Sequence, residues 1–183
     1  MKQTVRIIGG QYRGKKLHFP DIEGLRPTPD RVKETLFNWI MQEIRGARCL
    51  DAFAGSGALG FEAFSRGAKE VVLVESSPQA YANLKKIAAS FNANNLVIIN
   101  TKAEAYFQKA VEPFDIIFLD PPFSENYLPT CLELLSKSDL LIKGGLIYIE
   151  SASKQIINPS HWLEKKFKQA GQVCYSLCQK IAD

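Results

Sequence analysis

The sequence predicts an α/β protein built on a doubly wound parallel sheet, and three observations carry that expectation. From residue 46 onward, apolar runs of five to seven residues alternate with helical stretches of about 10 to 15 residues. The runs lack the alternation of a half-solvated sheet, so helices must cover both faces. A glycine-rich segment, "DAFAGSGALG" (residues 51–60), joins the first run to the first helical stretch, where open α/β sheets bind ligands.

In chain order, residues 4–19 read as a basic hairpin. "TVRII" and "RGKKLHF" are β-prone and flank "GGQY", with Gly9 and Gly10 in or beside the turn. A loop leads to "LRPTPDRVKETLFNWIMQEI", with Thr28 as helix N-cap and Pro29 as the first helical residue; Val32, Leu36, Ile40 and Ile44 form a face that docks on the body. Trp39 is read as core. Then come "RCLDAF" as a short buried strand, "ALGFEAFSRG" as a helix ending at Gly67, "EVVLVE" as a strand and "PQAYANLKKIAASF" as a helix. "LVIIN", "FDIIFLD" and "GLIYIES" follow as strands, separated by helices over "AEAYFQKA" and "YLPTCLELLSKS". The last part differs: Trp162, Glu164 and Lys166 alternate with Leu163, Lys165 and Phe167, and Val173, Tyr175 and Leu177 alternate again after Gly171. Two strands joined by so tight a turn must be antiparallel. Residues 1–45 are thus a basic hairpin with a docking helix, and residues 46–183 the main domain.

Of the 183 residues, 46% are apolar, enough for one sizeable core. No apolar run approaches the roughly 20 residues that span a bilayer, and "MKQTVRIIGG" lacks the apolar region of a signal peptide, so a soluble, cytoplasmic protein is expected. Cys49, Cys131, Cys174 and Cys178 form no CxxC pair, and with only His18 and His161 beside them no zinc-ligand spacing exists, so no metal is expected. Residues 1–48 hold ten Lys and Arg against five acids, a charge of +5, while the remainder stands at −1. A basic segment on a near-neutral body suits a polyanionic partner.

Three features fall at the C-terminal ends of the expected strands. The GxGxxG spacing of Gly55, Gly57 and Gly60 is by itself a weak signal, shared by many nucleoside-binding proteins. Glu75, 20 residues beyond Gly55, suits a bidentate grip on ribose hydroxyls and would repel a 2′-phosphate, which disfavours NADP and leaves NAD and an adenosyl ligand level. "DPPF" (residues 120–123) separates them. Two prolines stiffen the loop and leave its carbonyls free; with Asp120 these can hold an exocyclic amine, and Phe123 offers a face on which a flipped or single-stranded base can stack.

At this point the sequence resembles a family. "RIIGGQYRGKKL", "RPTPDRVKETLFNW", "DAFAGSGALGFEAFSRGA", "VESS" and "LDPPF" together look like the RsmD-type methyltransferases, and the likeness covers nearly the whole chain. The resemblance implies a Rossmann-like class I fold dependent on S-adenosyl-L-methionine, with a seven-stranded sheet whose last strand is antiparallel. It implies methylation of a guanine N2 amine in small-subunit ribosomal RNA, naked or within an assembling 30S particle, by a monomer. It also implies that Asp51, Phe53, Ala54, Gly55 and Gly57 surround the methionine moiety, that Glu75 and Ser76 meet the ribose, and that Asp120, Pro121, Pro122 and Phe123 surround the target base. Relatives of this fold often carry Asp or Asn before a small residue after the third strand; here Lys102 precedes Ala103, so the adenine contact falls to the Ala103 backbone or to Glu104.

On this reading Asp120 and the Pro121 carbonyl favour a tetrahedral amine nitrogen, and direct in-line displacement needs no metal or covalent intermediate. Asp120 takes the released proton directly or through water. Arg6, Arg13, Lys15, Lys16 and Arg31 form the RNA grip, with the Thr28–Arg31 turn near the cofactor mouth; against this, Arg26 and Arg31 could pair with Asp30 or Glu34. Tyr12 is either a base-stacking residue or a solvent-exposed hairpin tyrosine. The rival readings are an NAD-dependent oxidoreductase, an amino-methyltransferase acting on adenine in DNA or another RNA, and a non-catalytic RNA-binding assembly factor.

Overall fold

The structure, a computed structural model, describes residues 3–182; Met1, Asp183 and Lys2, one of the ten cations counted above, lie outside them. Strands β1 (Gln3–Arg6) and β2 (Lys16–Phe19) pair antiparallel, with Gln3 opposite Phe19, as the expected hairpin. Helix α1 (Asp30–Trp39) follows. The main domain alternates β3 (Arg48–Asp51), α2 (Ala58–Ser65), β4 (Glu70–Glu75), α3 (Pro78–Ala89), β5 (Leu96–Asn100), α4 (Ala103–Lys109), β6 (Phe114–Leu119), α5 (Tyr127–Ser136) and β7 (Leu141–Ser151). It closes with β8 (Trp162–Ala170) and β9 (Val173–Lys180).

The seven strands are ordered β5-β4-β3-β6-β7-β9-β8, and β9 alone runs against the direction of the other six. This is the seven-stranded sheet implied by the resemblance. The order reverses between β3 and β6, which opens a cleft at the C-terminal ends of these strands. Alternate residues of each strand feed two cores. Cys49, Val71, Leu73, Phe118 and Tyr148 face the hairpin, α1, α2 and α3, whereas Leu50, Val72, Ile117 and Ile147 face α4 and α5. Burial on both faces explains why these strands read as continuous apolar runs. All four cysteines are buried free thiols.

The N-terminal segment shares the first core: Val5, Ile7, Leu17, Phe19, Val32, Leu36 and Phe37 are buried in it. Its anchor is Glu62 on α2, whose side chain is 0% exposed. The Ile8 and Gly9 N–H groups donate to this carboxylate at 3.0 and 2.9 Å, Arg66 Nε donates at 2.8 Å, and the buried Lys33 ammonium lies 3.7 Å away. A carboxylate withdrawn from water needs such a set of donors to offset its desolvation. Gly10 has φ +77°, and a Cβ there would meet the Ser65 carbonyl oxygen at 1.9 Å, so the turn must be glycine to lie against α2.

Four local expectations need correction. Pro29, not Thr28, caps α1, and no side chain caps the helix, because the Thr28 hydroxyl reaches instead to Asp120. The helix ends at Trp39 rather than continuing to Ile44, since the chain must turn through Gly46 (φ +78°) into β3; Ile40 and Ile44 remain buried all the same. Tyr12 is neither free for a base nor fully exposed: its ring stacks on Phe64 at 5.5 Å and meets Phe91 edge-on at 4.8 Å. Asp30 pairs with Arg6 at 3.1 Å and with Lys33 at 3.4 Å, a different pairing from the one with Arg26 or Arg31 considered above. Trp39, expected in the core, is half-buried and packs against its edge, its ring centroid 5.5 Å from that of Tyr175.

Candidate active site

The cleft is built first from backbone. After β3 the chain is held against β4 by Ala54 N–H donating to the Val74 carbonyl at 2.9 Å. It then turns through Gly55 and Gly57 in left-handed conformations (φ +52° and +80°). A Cβ on Gly57 would stand 2.3 Å from the Phe61 ring, so this turn admits only glycine and can pack directly on α2. Leu25, from the loop before α1, lies over Gly55 and roofs the turn. Asp51 ends β3 beneath it, 1% exposed. The Gly60 N–H donates to Asp51 Oδ2 at 2.9 Å, while Oδ1 is buried with no hydrogen bond. Burial raises the Asp51 carboxyl to about 7 against the opposing Gly60 N–H, and Asp120 and Glu75 add to the rise.

Glu75 ends β4 half-buried, and both its oxygens are engaged: Gly55 N–H donates to Oε2 at 2.8 Å and Ser77 N–H to Oε1 at 2.7 Å. Each carboxylate oxygen keeps a second lone pair for a ligand hydroxyl. Ser76 is exposed beside it, and Asn100 Nδ2 donates to the Glu75 carbonyl at 2.8 Å, tying the end of β5 to this turn. Ala103 is buried and Glu104 half-buried in the first turn of α4. Phe53 is half-buried and packs on Tyr127 at 5.6 Å. Ala54 is buried.

On the far side of the switch point, Asp120 and Pro121 are drawn in, while Pro122 and Phe123 project outward, Phe123 being 49% exposed. The Thr28 hydroxyl donates to Asp120 Oδ2 at 3.3 Å, so the loop before α1 closes over the site. Beside the loop opens a cavity of about 220 Å³ lined by Pro121, Pro122, Phe123, Asn126, Glu150 and Gln155 among others. Glu150 is the residue that sequence reading passed over. Leu119 of β6 is in register with Ile149 of β7, so Asp120 and Glu150 follow on adjacent strand ends. Glu150 is 4% exposed, its Oε2 accepts no hydrogen bond, and Asp120, Tyr148 and Thr28 surround it. Burial, with the facing Asp120 charge, raises its carboxyl to about 9; burial raises Asp120 to about 6. The signal was present: Glu150 ends an apolar run just as Glu75 does.

Asp51, Glu75 and Asp120 thus meet around one cleft. Of the expected RNA-binding cations, Arg31 stands three residues after Thr28, whose hydroxyl reaches Asp120, while the others belong to the hairpin. Arg13, Lys16 and Arg31 are exposed. Arg6 is exposed but ion-paired with Asp30, and Lys15 is folded onto the body, its ammonium 4.1 Å from the Phe91 ring centroid and 3.4 Å from the Ser90 carbonyl. A polar cavity of about 320 Å³ between hairpin and α1 is walled by Arg6, Arg13 and Arg66 facing Asp30 and Glu34. Among the described residues, no group of three or more His, Cys, Asp or Glu could hold a metal ion, and no helix is long and apolar enough to cross a membrane.

Residues 5–179 match the model of a family described as conserved hypothetical protein 95. The chain is 44% identical to the ribosomal RNA small subunit methyltransferase D of Escherichia coli K12, over 97% of this chain and 91% of that protein. It is also 44% identical to the protein of the same name from Haemophilus influenzae Rd, over 97% of this chain and 95% of the relative. A solved Escherichia coli structure, yhhF, described as a candidate methyltransferase, superposes with a TM-score of 0.90 at 43% identity, covering 99% of this chain and 100% of the other.

Proposed function

The chain belongs to the conserved hypothetical protein 95 family of RsmD-type methyltransferases, and from that premise we propose that it methylates the exocyclic N2 amine of one guanine in small-subunit ribosomal RNA. The observation that carries the reading is the meeting of Asp51, Glu75 and Asp120 at one switch-point cleft, with Phe123 exposed at its mouth. S-adenosyl-L-methionine fits this cleft on chemical grounds. Asp51 Oδ1, buried without a donor, suits an ammonium, directly or through water; Glu75 suits ribose hydroxyls; and the glycine turn offers close backbone approach without a phosphate to satisfy. The adenine contact falls to the Ala103 backbone or Glu104. When bound, this cofactor supplies a sulfonium methyl that is already strongly electrophilic.

The chain's own residues then have two tasks. A guanine N2 lone pair is delocalised into the ring and attacks poorly. Asp120 and the Pro121 carbonyl, as acceptors for the amine protons, favour the tetrahedral nitrogen of the transition state more than the planar ground state. The rigid proline loop and the Phe123 face hold the base in line with the methyl group, so that positioning supplies much of the rate. Asp120 accepts the proton that the nitrogen releases. Residues 1–45 serve as the RNA-binding extension, with Arg13, Lys16 and Arg31 as its exposed cations.

Deleting the gene and comparing nucleosides of digested ribosomal RNA by mass spectrometry tests this reading. The expected result is loss of N2-methylguanosine from one small-subunit fragment, restored by incubating the RNA or 30S particles with purified protein and S-adenosyl-L-methionine. An unchanged N2-methylguanosine profile overturns it.

A further inference from the structure

We propose that Glu150 is a positioning residue: it shares one proton with Asp120, and the pair, rather than Asp120 alone, presents the acceptor that receives the amine proton. The inference rests on the methyl-transfer reading for its last step, but the pair itself stands on geometry. The β6–β7 register sets the two carboxyls on adjacent strand ends, and the β7–β9 register sets Tyr175 beyond Glu150. Glu150 is buried, and its Oε2 accepts no hydrogen bond. The groups facing the pair are Thr28 from the loop before α1, Asp51 from β3, Tyr148 from β7 and Tyr175 from β9. None is cationic. Two carboxyls, the buried Glu150 and the half-buried Asp120, that face each other without a cation cannot both ionise cheaply, and they bond to each other only when one carries a proton.

The consequences for the reaction follow from counting protons. The pair starts with one proton and one negative charge. As the nitrogen gains the methyl carbon, the sulfur keeps the electron pair of the bond that breaks, and the nitrogen gives one proton to Asp120. The pair then holds two protons and no charge. One proton returns to water through the cavity beside Phe123 before the next turnover. With its own proton directed at Asp120, Glu150 acts together with the Thr28 hydroxyl, which donates to Oδ2, to fix which Asp120 lone pairs remain for the amine.

Two measurements test the proposal. In the wild-type protein without cofactor, carbon-13 titration of the carboxyl groups should show one resonance changing far above the usual glutamate range, near 9, and it should vanish in Glu150→Gln. All glutamate resonances titrating in the usual range would overturn the pair. In the methylation assay, kcat/KM for wild type should follow a bell, the singly protonated pair being active, with its acid limb above the usual aspartate range and its alkaline limb far above the usual glutamate range. Glu150→Gln, which cannot ionise but can still donate to Asp120, should lose the alkaline limb and leave the acid limb in place, while keeping S-adenosylhomocysteine affinity within a few-fold. A Glu150→Gln profile that keeps both limbs, whatever its height, would mean a merely structural role and sink the proposal. Should the wild type transfer no methyl to small-subunit RNA, the functional reading falls, and the titration alone then decides for or against the pair.

Discussion

The Asp51 carboxyl makes the clearest link between burial and cofactor affinity. It is 1% exposed, takes the Gly60 N–H on Oδ2 while Oδ1 has no hydrogen bond of good geometry, and burial raises it from the usual 3.8 to about 7 against the Gly60 and Phe53 N–H groups. If its free oxygen meets the ammonium of the cofactor, binding requires the ionised form. From pH 8 to pH 6 the ionised fraction of a group titrating near 7 falls about tenfold, so the affinity for S-adenosylhomocysteine should fall about tenfold, near 1.4 kcal/mol. Asp51→Asn should flatten this dependence and, by losing a hydrogen bond to a charged group, weaken binding at pH 8 by roughly 1.5–3 kcal/mol. The ligand-free protein should show the opposite trend in stability. A carboxyl raised in the folded state binds a proton that the unfolded chain has already lost, so its contribution is fully present below about 4 and is lost as pH rises through 7. Isothermal calorimetry at pH 6, 7 and 8, with thermal melts of wild type and Asp51→Asn at the same values, measures both. Equal dissociation constants for the wild type at pH 6 and 8 would refute the ammonium contact.

Three further outcomes are expected. If Glu75 accepts from the ribose as proposed, Glu75→Ala, which also frees the Gly55 and Ser77 N–H groups, should lower S-adenosylhomocysteine affinity by at least about 1.5–3 kcal/mol; an unchanged calorimetric value contradicts the assignment. Glu62→Gln takes the carboxylate from the Arg66 guanidinium and from the buried Lys33 ammonium, which keeps Asp30 and the Arg6 carbonyl, so denaturant melts should show a loss of about 1.5–3 kcal/mol, whereas a loss below about 1 kcal/mol means that the hairpin is held by apolar packing alone. Neutralising Arg13, Lys16 and Arg31 together to Gln should lower the slope of log RNA affinity against log salt by up to about three times 0.7 to 0.9 while leaving the melting temperature near the parent's; a parental slope puts the RNA grip elsewhere.

The sheet was readable because its strands are buried on both faces, so that Val71–Val74 and Ile116–Leu119 carry unbroken apolar signals with helices between them. Glu75 was readable for a related reason: a carboxylate that ends such a strand stands at the ligand end of the sheet. Glu150 obeys the same rule, yet its partner depends on which strand lies beside β7. That pairing joins residues about 30 apart in sequence, and no local pattern encodes it. Thr28 shows the converse failure. Its position before Pro29 carries a strong local capping signal, but an acceptor 92 residues away takes the hydroxyl. Lys15 and Tyr12 looked like free hairpin side chains because their cover, Phe64 and Phe91, arrives from α2 and the end of α3.

The place of β9 in the sheet also sets a timetable. It is made after β7 and β8 but lies between them, and those two strands run in the same direction, so neither can complete the sheet without it. While the chain is being synthesised, β7 therefore presents an unpaired edge, and β8 has no neighbour at all. Tyr175, which lies opposite Glu150 and packs near Tyr148 and Trp39, arrives in that final step. Until residues 173–180 dock, the Asp120–Glu150 corner stays open to water on the β7 side, so the glycine-turn half of the cleft is in place before the half that borders β7.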